Sequence, residues 1–415
     1  MSRFVTNEKA LQLKNHTLFT TLDFICDAPK LDRAVAEEIR ALSVAYTEGI
    51  LQAVKGYFNG DWIEFARWLG FSAEHIEVID WFSCFTSPAS YMRVDIAGEI
   101  DNPRMVELNA GPNVGGLAYS VAHRICRPGG NTDPLYQWAA WLHQLVQAQQ
   151  THSRPFVAVV EESRVLPQIT PVATLMVAEL QRWGIDAELV SHRDLILQEQ
   201  GLFLAGKQVT HLYCLFDLVD VVNAPEEYQP LCQALQKQQV ILPAGFEGRL
   251  IGNKLCMTLV HDERFRPFFN EALYEKLQAF IPYTWRFDEV KLDSLRQQRE
   301  EWIVKPAHGY GGNDILCGWE LEQETWERQL TAILAQKLPY VVQRRVPIAS
   351  YSVTAFSVAQ QEEYAMQAKC LLGVYIMNNE LGGGWWRAGR PERSDIINTS
   401  QGALAGNVML RGASV

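Results

Sequence analysis

The chain has 415 residues, 48% apolar and 20% charged, with 37 Lys and Arg against 48 Asp and Glu for a formal charge of −11. That length exceeds one ordinary hydrophobic core and predicts two or three domains, and the composition excludes a disordered chain. The acidic balance argues against nucleic acid or an anionic membrane as partner, and no uncharged apolar run approaches the roughly 20 residues that span a bilayer.

In chain order, the opening "MSRFVTNEKALQLKNH" is polar and lacks the apolar centre of a signal peptide. The stretch "LDRAVAEEIRALSVAYTEGILQAVKGYF", from Leu31 to Phe58, has apolar residues at helical spacing with an Asp near its start. A second helix is expected from Trp62 to Leu69, stopping at Gly70. Tyr91–Ile96 and Arg104–Leu108 read as strands joined by the turn "EIDNP". "LAYSVAHRIC" and "PLYQWAAWLHQLVQAQQ" follow as helices.

Near residue 150 the texture changes. "PFVAVVEE", "DAELV", "HLYCLF" and "VILP" are predicted strands, separated by the helical patterns "ITPVATLMVAELQRWG" and "QPLCQALQKQ". That alternation implies a small parallel-sheet domain over about 151–245. Beyond it the pattern predicts helices at 254–261 and 269–279 and strands at 301–305 and 339–346. From Tyr364 to about Asn398 it predicts extended segments punctuated by glycine. The eight cysteines include no CxxC and no neighbouring His at ligand spacing. They are expected to be reduced and mostly buried, in a cytoplasmic protein.

Two stretches carry chemistry. "RVDIAGEIDNPRMVELNAGPNVGG" places Arg93, Asp95, Glu107 and Asn109 on a hairpin. Glu107 and Asn109 share a strand face at i, i+2, so they and Asp95 supply hard oxygen ligands for a divalent metal such as Mg²⁺. A charged hairpin face is the plain alternative. "WIVKPAHGYGGNDI" delivers Lys305 from a strand into a loop with Gly309, Gly311 and Gly312. A strand lysine beside backbone N–H groups that glycine leaves open suits nucleotide phosphates; the alternative is a surface turn beside a snorkelling lysine. "GLFLAGKQ" nearly matches a phosphate loop, but Gln208 replaces the hydroxyl and the middle residues are apolar, so a β-turn at 205–207 is expected.

"GNKLCMTLV" puts Lys254 at a helix start, and "PYVVQRRV" is an apolar strand ending at polar residues, with Gln343 and Val346 as adenine-side candidates. The order helix lysine, strand lysine, glycine loop, apolar strand resembles the ATP-grasp superfamily. After Val346 no RxD is followed by an ExN; Arg93-Val94-Asp95 and Glu107-Leu108-Asn109 stand near the N-terminus instead. That arrangement resembles the circularly permuted branch, to which glutathionylspermidine synthases and eukaryotic-type glutathione synthetases belong.

The resemblance implies an α/β and α+β fold, a permuted ATP-grasp core with an inserted parallel-sheet domain. Residues 1–150 would hold a helical region and the metal-binding part, 151–245 the inserted domain, and 246–415 the nucleotide-binding part. It also implies an ATP- and Mg²⁺-dependent ligase joining a small-molecule carboxylate to an amine through an acylphosphate. Asp95, Glu107 and Asn109 would hold metal, while Lys254, Lys305, Gly309, Gly311, Gly312, Gln343 and Val346 would hold nucleotide. Arg93 would stabilise the oxyanion or transferring phosphoryl group. Arg387, in "LGGGWWRAGRPERSDIINTSQGA", would clamp phosphate or carboxylate, with Asn398 beside it. Trp385 and Trp386 read as packing or as stacking platforms, and His308 as touching phosphate or facing solvent. The hinge "QRRVPIASY" lacks the acid that commonly holds the ribose, for which Glu362 or another group would substitute. A kinase acting on a small-molecule hydroxyl and a non-catalytic nucleotide-binding protein remain the alternatives.

Overall fold

The computed structural model describes residues 5–6, 8–9, 12, 23–84, 88–126, 133–148, 154–288, 292–309 and 314–411. Gly311 and Gly312 lie outside the described residues. The architecture is mixed, with helices packed on three main sheets.

Among the described residues the largest sheet has seven strands. Its centre is Glu362–Met377, whose sixteen residues pair first with Ser350–Ser357 and then with Tyr91–Ala97. Glu380–Gly389 pairs along its other part, and Arg104–Ala110 extends the sheet beyond Tyr91–Ala97. Phe24–Asp27 joins Ser350–Ser357 to Leu404–Asn407, which pairs back to Glu380–Gly389, so five of the strands close into a ring. Asn378 and Asn379 make the tight turn between the two long strands with φ of 50° and 66°, the paired left-handed conformation that asparagine tolerates in hairpins.

The helix Arg33–Gly56 covers this sheet, and its buried Ala36, Ile39, Ser43, Tyr46, Ile50 and Ala53 keep the three-to-four spacing read from sequence. Its N-cap, Asp32, makes no side-chain cap bond. Asp61 does cap the helix Trp62–Trp68, accepting from the Ile63 and Glu64 N–H groups at 2.9 Å each.

Phe156–Glu161, Asp186–Ser191 and His211–Cys214 form a three-stranded parallel sheet with Phe156–Glu161 in the middle. The expected fourth strand, "VILP", is reduced to a single parallel bridge between His211 and Ile241. Pro243 has no N–H to continue a ladder, and the chain turns away there. The segment "GLFLAGKQ" is a hairpin turning at Ala205 and Gly206.

The third sheet is antiparallel, in the order Thr284–Arg286, Tyr340–Arg344, Trp302–Pro306, Leu316–Cys317. Two helix expectations are corrected here. Lys254–His261 is a 3₁₀ helix, and the region expected as one helix over 269–279 is a 3₁₀ turn at Glu271–Leu273 followed by the helix Tyr274–Phe280. Asn253 starts the first by accepting from the Leu255 N–H at 2.9 Å, which fixes the direction in which Lys254 leaves the chain. Among the described residues no helix is long and apolar enough to cross a membrane.

A buried hydrogen-bond relay ties the parallel sheet to the turn after Ala110. The Trp138 Nε1–H donates to the Tyr213 hydroxyl at 2.8 Å, and that hydroxyl donates to the Pro112 carbonyl at 2.6 Å. Tyr213→Phe strips both partners of a buried bond while keeping the ring. It should lower stability by about 1–3 kcal/mol in urea denaturation, with an unchanged m-value.

Candidate active site

The large sheet presents the site residues on one face by register alone. Asp95 stands opposite Glu107 and Arg93 opposite Asn109. Across the other edge of that strand, Gly373 faces Asp95 and Tyr375 faces Arg93, and one strand further Trp385 faces Gly373 and Arg387 faces Leu371. Since side chains alternate, Arg93, Asp95, Glu107, Asn109, Trp385 and Arg387 all project the same way.

Asp95 is the hub, only 1% exposed. Its carboxylate accepts from Arg93 Nε and Nη2 at 2.8 and 3.1 Å and from Asn109 Nδ2 at 3.3 Å. Arg387 Nη2 lies 2.9 Å from Asp95 Oδ2, though not aligned for a hydrogen bond. Burial alone would raise the Asp95 carboxyl, but Arg387 and Arg93 outweigh it and hold the group below the usual carboxylate range. Both guanidinium groups sit over the Trp385 indole, at 5.0 and 5.2 Å from its ring centre. Trp385 therefore stacks on cations, whereas Trp386 packs in the main core and donates Nε1–H to the Pro29 carbonyl at 3.1 Å.

The opposite wall comes from the antiparallel sheet and the 3₁₀ helix. Lys305 is buried and donates to Gln343 Oε1 at 2.8 Å and across to the Val106 carbonyl at 3.1 Å. Burial pulls its amine down to about 8, against the opposing pull of Glu107. Lys254 pairs with Glu107 at 2.9 Å and donates to the Gly309 carbonyl at 3.1 Å, and Gly309 takes a φ of +143°. Gly248 lets this wall approach, because a Cβ there would lie 2.7 Å from the Gly111 nitrogen.

A cavity of about 380 Å³ lies between the walls. Arg93, Asp95, Glu107, Asn109, Lys254, Lys305, Gly309, Gln343, Val346, Arg387 and the secondary candidate Asn398 all line it. Among the described residues six cations and four carboxylates line it, an excess of two positive charges, and Arg93, Lys254, Lys305 and Arg387 are buried around Asp95 and Glu107. Arg387 Nε and Nη2 have no aligned acceptor among the described residues, although Arg387 is 5% exposed. Unsatisfied buried donors beside excess positive charge fit a polyanion such as a nucleotide triphosphate.

The carboxylates fit a metal differently. Among the described residues no group of three or more His, Cys, Asp and Glu forms a metal cage. Asp95 and Glu107 are moreover each committed to a cation. Two carboxylates and one amide suit Mg²⁺ that shares its oxygens with phosphate, and they do not suit a metal held by protein alone.

Two expectations are corrected. Glu362 is exposed and pairs opposite Ser357 at the far end of its strand, outside the cavity. His308 neither faces solvent nor lines the cavity. It packs on Phe71 at 4.0 Å, makes a 3.1 Å hydrogen bond with Asn253, and burial pushes its imidazole down to about 4. Sequence reasoning also missed residues that line the cavity. Arg249 pairs with Asp217 at 2.7 Å and donates to Asn113, and Asp395 enters from the segment after Gly389. Arg249 lies in no motif with a recognisable spacing, whereas Asp395 closes the triplet Arg393-Ser394-Asp395 within the glycine–arginine stretch quoted above.

No protein-family model and no curated protein sequence matches the chain. Among solved structures, the fold is similar to a glutathione synthetase-like effector from Globodera pallida in its apo form. The TM-score is 0.62 at 11% identity, over 97% of this chain and 96% of that one. A provisionally assigned gamma-glutamylcysteine synthetase from Methylobacillus flagellatus KT aligns at TM-score 0.47 and 12% identity, over 94% and 91% of the two chains. A D-cycloserine synthetase aligns at TM-score 0.26 and 17% identity, over 46% and 59%. The first likeness shows a shared fold over nearly the whole of both chains; the other two are too slight to carry an argument.

Gly373 leaves the space that Trp385 occupies, since a Cβ there would overlap the indole and press Arg93 Cδ at 3.1 Å. Gly373→Ala should therefore cost about 1–3 kcal/mol of stability by overpacking, read by chemical denaturation.

Proposed function

We propose that this chain is an ATP-dependent carboxylate–amine ligase with a circularly permuted ATP-grasp core, acting on a small-molecule acid and a small-molecule amine. The observation that carries this reading is the cavity where Lys254, Lys305, Arg93 and Arg387 surround Asp95 and Glu107. The likeness to a glutathione synthetase-like effector supports it at the level of the fold. In this reading residues 1–150 and 246–415 share one core, and 151–245 form a domain between its halves.

The chemistry follows from placement. Lys305 and Lys254 would hold the nucleotide phosphates as point charges, with Gly309, Gly311 and Gly312 as the loop over them and Gln343 and Val346 on the adenine side. Bound Mg²⁺, held by Asp95, Glu107 and Asn109, would supply charge neutralisation of the phosphates. The γ-phosphoryl group passes to a carboxylate oxygen of the acid and ADP leaves. The amine nitrogen then attacks the acyl carbon, the C–N bond forms, phosphate leaves, and the nitrogen loses its proton. Arg93 and Arg387 would offer their donor forks to the acid and to the oxyanion at that carbon, where the buried setting gives each hydrogen bond more weight than in water.

Glu107 must give up Lys254 before it can serve a metal, so metal binding should follow nucleotide binding. Mg²⁺ alone should leave thermal unfolding unchanged. A non-hydrolysable ATP analogue with Mg²⁺, at about a hundred times its dissociation constant, should stabilise the protein by roughly 2.7 kcal/mol. Glu107→Gln should lose the Mg²⁺-dependent part of that shift and Lys305→Ala nearly all of it. A parent that shows no shift would sink the nucleotide reading.

Affinity should also depend on pH. Lys305 binds phosphate as the ammonium, and with its amine at about 8 in the free protein it loses that form as pH rises. Phosphate contact raises the amine in the complex, so binding takes up a proton above that point. Nucleotide affinity should be level below pH 8 and fall above it, by up to about tenfold per unit. Calorimetry in buffers of different ionisation heat measures the proton uptake. Phosphate release that requires both acid and amine would separate a ligase from a kinase.

A further inference from the structure

The five strands that close into a ring leave a second cavity beside them. Residues 362–369 of the central strand pair with Ser350–Ser357 and residues 369–377 with Glu380–Gly389. Only the four-residue strands Phe24–Asp27 and Leu404–Asn407 complete the circuit. Tyr364 and Met366, which share a face of the central strand, line a cavity of about 600 Å³ with Ala388, Gly389, Leu404 and Asp23, just ahead of Phe24. We propose that this cavity is a second binding site, for a small organic dianion such as a dicarboxylate, coupled to the catalytic cavity through a wall the two share. The site goes beyond the ligase reading, and only the coupling rests on it.

The chain that leaves Gly389 and returns at Leu404 brings two arginines to this cavity. The Arg393 N–H donates to the Arg390 carbonyl at 3.0 Å, and Lys369 Nζ of the central strand donates to the Arg393 carbonyl at 3.2 Å, so the turn that carries both is pinned to the sheet. Their side chains reach different parts of the lining. Arg390 is close enough to the Tyr364 hydroxyl for its charge to act on it, whereas Arg393 Nη1 lies 3.7 Å from where a Cβ on Gly402 would stand. Among the described residues neither guanidinium is engaged by a hydrogen bond or ion pair. Asp23, the one carboxylate lining this cavity among them, accepts from the Tyr364 hydroxyl at 3.1 Å. That leaves an excess of one positive charge, while Met366, Leu404, Ile396 and Ile397 give the cavity an apolar part. A guanidinium fork matches a carboxylate in bidentate geometry, and a short hydrocarbon link between two carboxylates suits the apolar part. The volume falls within the roughly 300–1,000 Å³ of small-molecule sites.

Ile396, Ile397 and Asn398 line both this cavity and the catalytic one, so this short stretch is a wall between them. The Ile397 carbonyl accepts from Arg387 Nη1 at 3.5 Å. Asn398 Oδ1 accepts from the Ser400 N–H at 3.0 Å, at the start of the turn that carries Gln401 and Gly402 along the outer cavity. A ligand that orders this stretch from the outer side constrains a contact of Arg387 on the inner side. A shared element of this kind gives two sites a coupling free energy that is equal in both directions.

Calorimetric titration with glutarate tests the site, with butyrate as the single-carboxylate control. Glutarate should bind saturably and about tenfold or more tightly than butyrate, the factor that one charge-assisted pairing implies. Arg390→Ala and Arg393→Ala should each weaken glutarate by a similar factor, and Asp23→Asn should tighten it. Glutarate seated among the cations of the catalytic cavity would instead lose affinity in Lys305→Ala, which should here bind it like the parent. A parent that does not bind glutarate, or binding that survives both arginine variants, would overturn the site. Saturating glutarate should also shift the affinity for a non-hydrolysable ATP analogue with Mg²⁺ by about fivefold or more in the parent, and not in Arg390→Ala. Equal nucleotide affinity with and without glutarate would overturn the coupling while the site stands. A parent that binds glutarate but no nucleotide would overturn the ligase reading and the coupling with it.

Discussion

The site is organised by one buried carboxylate. Asp95 takes two hydrogen bonds from Arg93 and stands within ion-pair distance of Arg387, and all three residues are nearly sealed from water. Two guanidinium groups stripped of solvent would be prohibitive without it, since an uncompensated buried charge costs several kcal/mol. The arrangement still leaves one positive charge over, and Arg387 keeps two donors with no aligned acceptor among the described residues. That imbalance gains nothing for the fold. It makes sense as preorganisation for an anion, with Trp385 as the floor that holds both guanidinium planes in place.

The other wall repeats the device with lysines. Lys254 and Lys305 are spoken for by Glu107, Gln343 and backbone carbonyls, so neither is left bare in the absence of ligand. These same contacts stitch the two walls together, because Lys305 on one sheet donates to the Val106 carbonyl on the other. Anion binding and closure of the two walls are therefore coupled through shared donors. A ligand that recruits Lys254 would free Glu107 from its ion pair; under the proposed function that carboxylate would then be open to a metal shared with phosphate.

The parallel sheet reaches the same cavity from its carboxyl edge, the usual place for ligands in such sheets. Asp217, just past His211–Cys214, meets Arg249 and Asn113 there. Glu161, at the end of the middle strand, is pushed up to about 7 by burial and by neighbouring Asp220, Glu162 and Asp217. Of these acids only Asp217 lines the cavity among the described residues, and there it is paired with Arg249.

Much of this was local enough to be legible. The alternation in "RVDIA" and "RMVELNA" fixed which side chains share a face, because strand periodicity is a property of the backbone. The helix from Arg33, the parallel strands and the hairpin at Ala205 follow from equally local patterns. "VILP" keeps only one bridge because Pro243 cannot continue the ladder, and the segment after Lys254 follows a 3₁₀ path that the spacing of its apolar residues does not distinguish from an α-helix. The asparagine pair at 378 and 379 was a signal in plain view. By itself the sequence determined the strands, their faces and the residue types available for an anion and a metal. Only the tertiary structure decided that Asp95 and Arg387 pair, that Lys305 meets Val106, that Glu362 is remote and that Asp395 is near. Those are contacts between segments tens to hundreds of residues apart, set by sheet order and register, and no local periodicity encodes them.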